Sequence, residues 1–514
     1  PHFTEAWLGL GTHCMNEGYT EEGARAFAKV RELDRFNVAA TNWLTLLEDL
    51  PTHFVAVKTP HCLIRLSKQE APVLAPYLEE LLEGWYAEFA KRYRFEPELP
   101  IQVEMYDDAQ DFAVRGFGTP AAPFLGVCLG RVVLNQSPTT LAPQKRVWAQ
   151  VLRHEFMHIF SVQATEGLVS RWFTEGLSTF EERRWRPEWD WEEGIDEQVF
   201  DAWHDGSLLP VARLNQGFKG DSMRMYYYVS SLVCEYIDNT YGAEGLCRMM
   251  AEWKKGSGAR TRAQEMMRGW SGSRDPEVVE KALGVSIAQL DAGFRKWLAP
   301  RIAAIRIPPK IAERQLAALR GAADPESQAR LARGLFQNGQ REEAHKRASE
   351  AAAAKKPPAD AFVVLGHLER DEGRSAEALA QYRKAAEGGI QDFYLYHAIG
   401  ELELEEGKPE DAIRHYEKAR TCFPRQVYGS YDIYRRLYEA CQEAGDERGM
   451  LKAVEGKCAV AHEDARSRSW LLDRYLESKD HAQAVEIGRQ LLWIDPFNIS
   501  SFLLEWGDCM GDTQ

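Results

Sequence analysis

His154, Glu155 and His158 stand in the order His-Glu-x-x-His, and sixteen residues separate His158 from Glu175. On a helix, positions four apart lie about 40° apart in projection, so the two imidazoles point at one site and can share a metal. Neutral imidazole nitrogen and a carboxylate are donors that zinc accepts, and three protein ligands leave one coordination position open. Glu155 then lies beside that open position, where a general base is useful. The chemistry of such a set is hydrolysis. Zinc polarises a carbonyl and brings the pKa of water to about 7, while Glu155 takes the water's proton and returns it to the leaving amine.

These side chains need two helices to carry them. Val147, Trp148, Val151, Leu152, Ile159 and Phe160 recur at helical spacing around the motif and predict a helix over about Gln144 to Gln163. Gly167 offers a turn before a second helix holding Trp172-Phe173-Thr174-Glu175-Gly176-Leu177. Upstream, Phe54–Val57, Cys62–Leu66, Ile101–Tyr106, Leu125–Leu129 and Val132–Leu134 are short, apolar or alternating, and bounded by Pro, Gly or Asp. They read as strands of a small sheet, with a helix over about Val73 to Arg94 among them. Residues 51–300 are thus expected to form an α+β unit with the sheet first.

The Trp-x-x-Glu-Gly-Leu segment at Trp172 resembles the second metal-binding helix of gluzincins, whose third ligand is a glutamate; here it falls on Glu175. Residues 51–300 as a whole resemble the peptidase MA-like proteins, distant relatives of thermolysin and the aminopeptidase N family. The resemblance implies a zincin-type fold, one Zn2+ on His154, His158 and Glu175, and catalysis by Glu155. It also implies a tyrosine that stabilises the oxyanion. In the aminopeptidase branch this residue lies fifteen positions before a glycine, and counting back from Gly242 gives Tyr227, with Tyr226 and Tyr228 as open alternatives. The family's edge strand, which pairs with the substrate backbone, corresponds to Gly126, Val127, Cys128 and Leu129. This segment lacks the glutamate that grips a free amino terminus in aminopeptidases, which favours an endopeptidase.

A second pattern occupies the C-terminal part. Gly366, Gly373, Ala378, Tyr382 and Ala385 recur 34 residues later as Gly400, Gly407, Ala412, Tyr416 and Ala419. The period resembles the tetratricopeptide repeat, a helix-turn-helix unit that stacks into a solenoid and offers a binding surface for a protein partner. Gly11, Gly18 and Phe27 keep the same offsets near the N-terminus. The expected organisation is tetratricopeptide-like helices at 1–50, the metallopeptidase-like unit at 51–300, a linker at 301–324 and an all-α repeat array at 325–514.

Composition bounds the rest. The 514 residues carry a net charge of −15 and no long Lys/Arg block, which argues against a nucleic-acid partner. No run approaches the roughly 18 apolar residues of a membrane helix. Nine cysteines without a C-x-x-C pair favour a reducing compartment such as the cytoplasm; an exported location would follow if a signal peptide preceded Pro1. Three functions fit: a zinc endopeptidase whose repeats recruit a protein or peptide, an interaction scaffold with an idle zinc domain, and a zinc hydrolase of non-peptide substrates.

Overall fold

The structure is a computed structural model that describes residues 3–141, 146–186, 194–256 and 274–497. Helices α1 (Thr4–Asn16) and α2 (Thr20–Leu33) form the N-terminal pair, turning at Gly18, whose φ of +81° favours glycine. A Cβ at Gly11 would lie 2.4 Å from the Phe27 ring, so the glycine lets the two helices meet. Phe27 also stacks on Trp43 of α3 (Val38–His53) with ring centroids 4.3 Å apart.

The sheet follows. Strands β1 (Phe54–Lys58), β2 (Cys62–Ser67), β3 (Ile101–Tyr106), β4 (Gly126–Cys128) and β5 (Val132–Gln136) are ordered β1-β2-β3-β5-β4. The inner pairs are parallel and both outer pairs antiparallel, so β1 and β4 are edges. Helix α4 (Ala71–Tyr93) makes the parallel crossover from β2 to β3, and α5 (Ala109–Phe117) lies between β3 and β5. Register places Ala56, Arg65, Glu104, Leu134 and Val127 in one row, and Val55, Leu66, Met105, Asn135 and Gly126 in the next. Because side chains alternate along a strand, these rows face opposite sides of the sheet.

A short helix α6 (Pro138–Leu141) leads toward α7 (Trp148–Ala164), α8 (Arg171–Arg183), α9 (Glu197–Asp205) and α10 (Met223–Lys254), which breaks at Gly242 (φ 70°, ψ 174°). Both motif helices and all five strands therefore form close to where residue pattern puts them. Helix α7 starts later than expected, at Trp148.

Helical pairs dominate the C-terminal part: 325–337 with 341–352, 359–371 with 375–387, 393–405 with 409–422, 433–444 with 447–460, and 465–477 with 481–492. Successive first helices start 34 residues apart until the 3-10 turn Gly429–Tyr431 stretches one interval. The recurring glycines have a steric cause. A Cβ at Gly366 would meet the Tyr382 ring at 2.4 Å, and one at Gly400 would meet Tyr416 at 2.7 Å. Gly366→Ala should therefore lower stability by about 1–3 kcal/mol through overpacking; urea unfolding followed by circular dichroism measures it, and an unchanged midpoint would refute this account.

The chain divides into two compact units that do not follow the expected boundaries. Among the described residues, one comprises 3–141, 146–186, 209–256, 274–294 and 462–497, and the other comprises 194–208 and 295–461. The last described helix pair joins the sheet-bearing unit through Trp493, whose ring packs on Tyr77, Trp148 and Trp185, and through an ion pair of Arg146 with Glu463. In the repeat unit, the stretch expected as a linker holds the helix Glu313–Arg320. Its Leu316 and the preceding Ile311 are buried against Leu331 and Leu335, covering the end of the first repeat. Helix α9 belongs to this unit: the Tyr394 hydroxyl donates to Glu197 at 2.5 Å and the Lys310 amide to Asp201 at 2.9 Å.

Candidate metal centre

Helices α7 and α8 bring His154, His158 and Glu175 together, with one donor atom of each within 4.8 Å of the others. His154 Nε2 and His158 Nε2 are 3.2 Å apart. Glu175 Oε2 lies 3.6 Å from the first and 3.3 Å from the second. Tetrahedral ligands at zinc bond lengths of about 2.0–2.1 Å stand about 3.3–3.4 Å from one another. The three donors thus have the spacing of a zinc site.

Ring orientation agrees. His154 Nδ1 is 3.1 Å from Glu182 Oε2, and His158 Nδ1 is 2.8 Å from the Thr174 hydroxyl, itself 2.7 Å from that of Ser161. Partners on Nδ1 turn both Nε2 atoms toward the shared point. Burial penalises the charge on Glu175, yet the two imidazoles hold its carboxyl far below the usual range. Burial likewise disfavours charged His154, but Glu175 and Glu182 raise its pKa well above the ordinary value. Three carboxylates around two imidazoles make a pocket suited to a divalent cation, so the residues fit the metal that the motif implies.

Ion pairs and hydrogen bonds of two buried charged side chains, Arg153 and Asp275, fix the helices. Arg153 is 2% exposed and donates to both oxygens of Glu88 on α4 and to Glu181 on α8. At the start of α8, Asp275 Oδ2 accepts from Trp172 Nε1 at 2.8 Å and the Ser170 hydroxyl at 3.2 Å. Burial pushes the Asp275 carboxyl up to about 7. Gly176 explains the Glu-Gly pair: a Cβ there would lie 2.7 Å from the Ser230 carbonyl oxygen, so glycine allows α8 to press on α10.

Glu155 points toward the edge strand. A Cβ at Gly126 would fall 2.6 Å from Glu155 Cγ, and burial raises the Glu155 carboxyl. Cys128 lies on the same face of β4, near enough for Glu155 and Glu175 to act on it, although burial is what chiefly pushes its thiol up. Val127 and Leu129 pack instead with Tyr106, Phe112 and Leu134 on the other face. Val127 pairs with Leu134 in the ladder, and the backbone groups of Gly126 and Cys128 point away from β5. No strand covers that edge among the described residues.

Of the three tyrosines, Tyr227 has its ring 6.1 Å from that of His154 and 5.2 Å from Phe218. Burial chiefly raises its pKa, with Glu175 adding to the shift and Arg171 opposing it. The Tyr226 hydroxyl accepts from the Leu209 amide, and the Tyr228 ring lies under Arg183. Sequence reasoning missed Glu182 and Thr174. Glu182 had a signal, since residues seven apart on a helix share a face and it follows Glu175 by seven. Glu182→Gln should weaken zinc binding about 10–100-fold; competition with a chromophoric chelator reads the change, and a fall under twofold would remove Glu182 from the site's support.

Together these features define a protein with paired-helix repeats of tetratricopeptide type and an α+β unit bearing a His-His-Glu cluster. No protein-family model matches the chain, and neither does any curated protein. Among solved structures, YrrB, a TPR protein with an unusual peptide-binding site, aligns at 17% identity over 37% of this chain and 96% of its own, with a TM-score of 0.27. MamA aligns at 15% over 32% of this chain and 92% of its own, with a TM-score of 0.26. Leukotriene A4 hydrolase from Saccharomyces cerevisiae aligns at 11% over 85% of this chain and 67% of its own, with a TM-score of 0.24. Overlays this loose carry no argument about activity. The peptidase reading rests on the residues of the centre alone.

Proposed function

We propose that the chain is a zinc-dependent endopeptidase whose metal is held by His154, His158 and Glu175. The observation that carries this reading is the mutual spacing of the three donors, combined with an acidic side chain between them and an open strand edge. Bound zinc would supply a Lewis acid and a lowered water pKa. Glu155, held against Gly126, takes the proton of the attacking water and returns it to the departing amine. The outward backbone groups of Gly126 and Cys128 pair with the substrate as an added strand, which holds the scissile carbonyl in register.

The Tyr227 hydroxyl, kept protonated by burial, donates to the oxygen on which negative charge develops. Tyr227→Phe is expected to lower kcat about 10²–10³-fold without loss of metal, as measured by peptide cleavage and elemental analysis; full activity would transfer the role to another donor. The repeats are the element that recruits or restrains a protein or peptide. The deciding experiment measures zinc content alongside cleavage of casein and of quenched peptides, before and after chelation. One equivalent of zinc with chelator-sensitive cleavage supports the peptidase, and no zinc would sink it.

A second reading, an interaction scaffold with an idle zinc domain, is favoured by one feature of the repeat unit. A groove of about 530 Å³ runs past Arg333, His367, Arg370, Tyr394, His397 and Tyr431, a surface of the kind that stacked helix pairs use to hold peptides. Zinc without cleavage of any peptide would select it.

A further inference from the structure

On the face of the sheet that carries Arg65 and Glu104, α2, α3 and β1 border a half-open cavity of about 250 Å³. Leu47, Leu50 and Phe54 form apolar walls, and Arg65, Glu104 and Arg115 supply charge. The Glu155 side of the sheet is the opposite one, because Glu104 is in register with Leu134 and Val127 rather than with Asn135 and Gly126.

The charges do not balance. Arg65 Nη1 lies 3.1 Å from Glu104 Oε1, and Arg115 Nε lies 2.9 Å from Oε2. The Tyr106 hydroxyl also donates to Oε2, at 2.8 Å. Two guanidinium groups thus share one carboxylate, leaving one positive charge over among the lining residues. Arg115 is 1% exposed, and its Nη1 has no hydrogen-bond partner among the described residues, whereas its Nη2 donates to the Met15 carbonyl and to Glu104. Arg115 Nη1 is thus a buried guanidinium nitrogen without an acceptor beside a cavity whose surface is mainly apolar, and an anionic ligand supplies the acceptor that is missing.

We infer that this cavity binds a small amphiphilic carboxylate. The planar carboxylate matches the guanidinium fork, one negative charge cancels the single surplus positive charge, and the short apolar tail fills the leucine and phenylalanine walls. At roughly 30 Å³ per water-sized group the space holds about eight non-hydrogen atoms, the size of hexanoate. The site is independent of the metal centre and of the peptidase reading.

The test titrates hexanoate into the full chain after chelator treatment, so that no metal competes for the carboxylate, and reads binding by calorimetry and thermal unfolding. Saturable one-to-one binding is expected, with hexan-1-ol, hexylammonium and inorganic phosphate each at least tenfold weaker. Arg65→Gln leaves Arg115 and Glu104 paired, removes the surplus charge, and should weaken hexanoate at least tenfold. Leu50→Trp, which fills the cavity, should abolish binding. If that variant does not fold, the partly exposed Arg65 position decides alone. Equal binding of the alcohol or of phosphate, hexanoate binding untouched by Arg65→Gln, or no saturable binding would overturn the inference.

Discussion

Glu155→Gln is expected to retain one equivalent of zinc while losing about 10²–10⁴-fold in peptide hydrolysis. The substitution is close to isosteric, so the side chain still fits against Gly126, where only a glycine leaves room for it. The donors at His154, His158 and Glu175 are untouched, so metal content should not move. What is lost is a group able to accept a proton next to the reacting water. Elemental analysis and single-turnover cleavage of a quenched peptide separate the two effects. Activity within tenfold of the parent would take Glu155 out of the reaction, and loss of zinc would make it a structural part of the centre instead.

Glu175→Ala should abolish both metal binding and hydrolysis. Glu175 is the anionic member of the proposed ligand set, and its Oε2 sits 3.6 and 3.3 Å from the two imidazole nitrogens. A ligand that binds only the folded state adds about 4 kcal/mol of stability at a thousandfold excess over its Kd. Zinc should therefore raise the unfolding temperature of the parent chain and leave that of Glu175→Ala unchanged. Parent and variant are each unfolded calorimetrically after chelation and again with zinc added. A zinc-dependent shift that survives in Glu175→Ala would place the metal elsewhere.

The legible parts of the fold were those fixed by local spacing. Ile101–Tyr106 is a strand by alternation and forms as one, because its neighbours in sequence already bound it. Gly366 with Tyr382 and Gly400 with Tyr416 mark helix pairs that close over sixteen residues, so a 34-residue count exposes them. Glu182 and Thr174 were harder, since a hydrogen bond to a ring nitrogen leaves no fixed spacing unless both residues share a helix. The unit boundaries were harder again. Trp493 packs on Tyr77, Trp148 and Trp185 across hundreds of residues, a contact that no periodicity encodes.

What the sequence determined by itself is the cluster of His154, His158 and Glu175 and the helix-pair repeats, because each depends on residues a few helical turns apart. Tertiary structure alone decided that Tyr227 is the tyrosine beside His154 and that Gly126 abuts Glu155. It also decided that Arg65 and Arg115 share Glu104. These outcomes depend on how distant elements pack, and close packing selects among side chains that look equivalent along the chain.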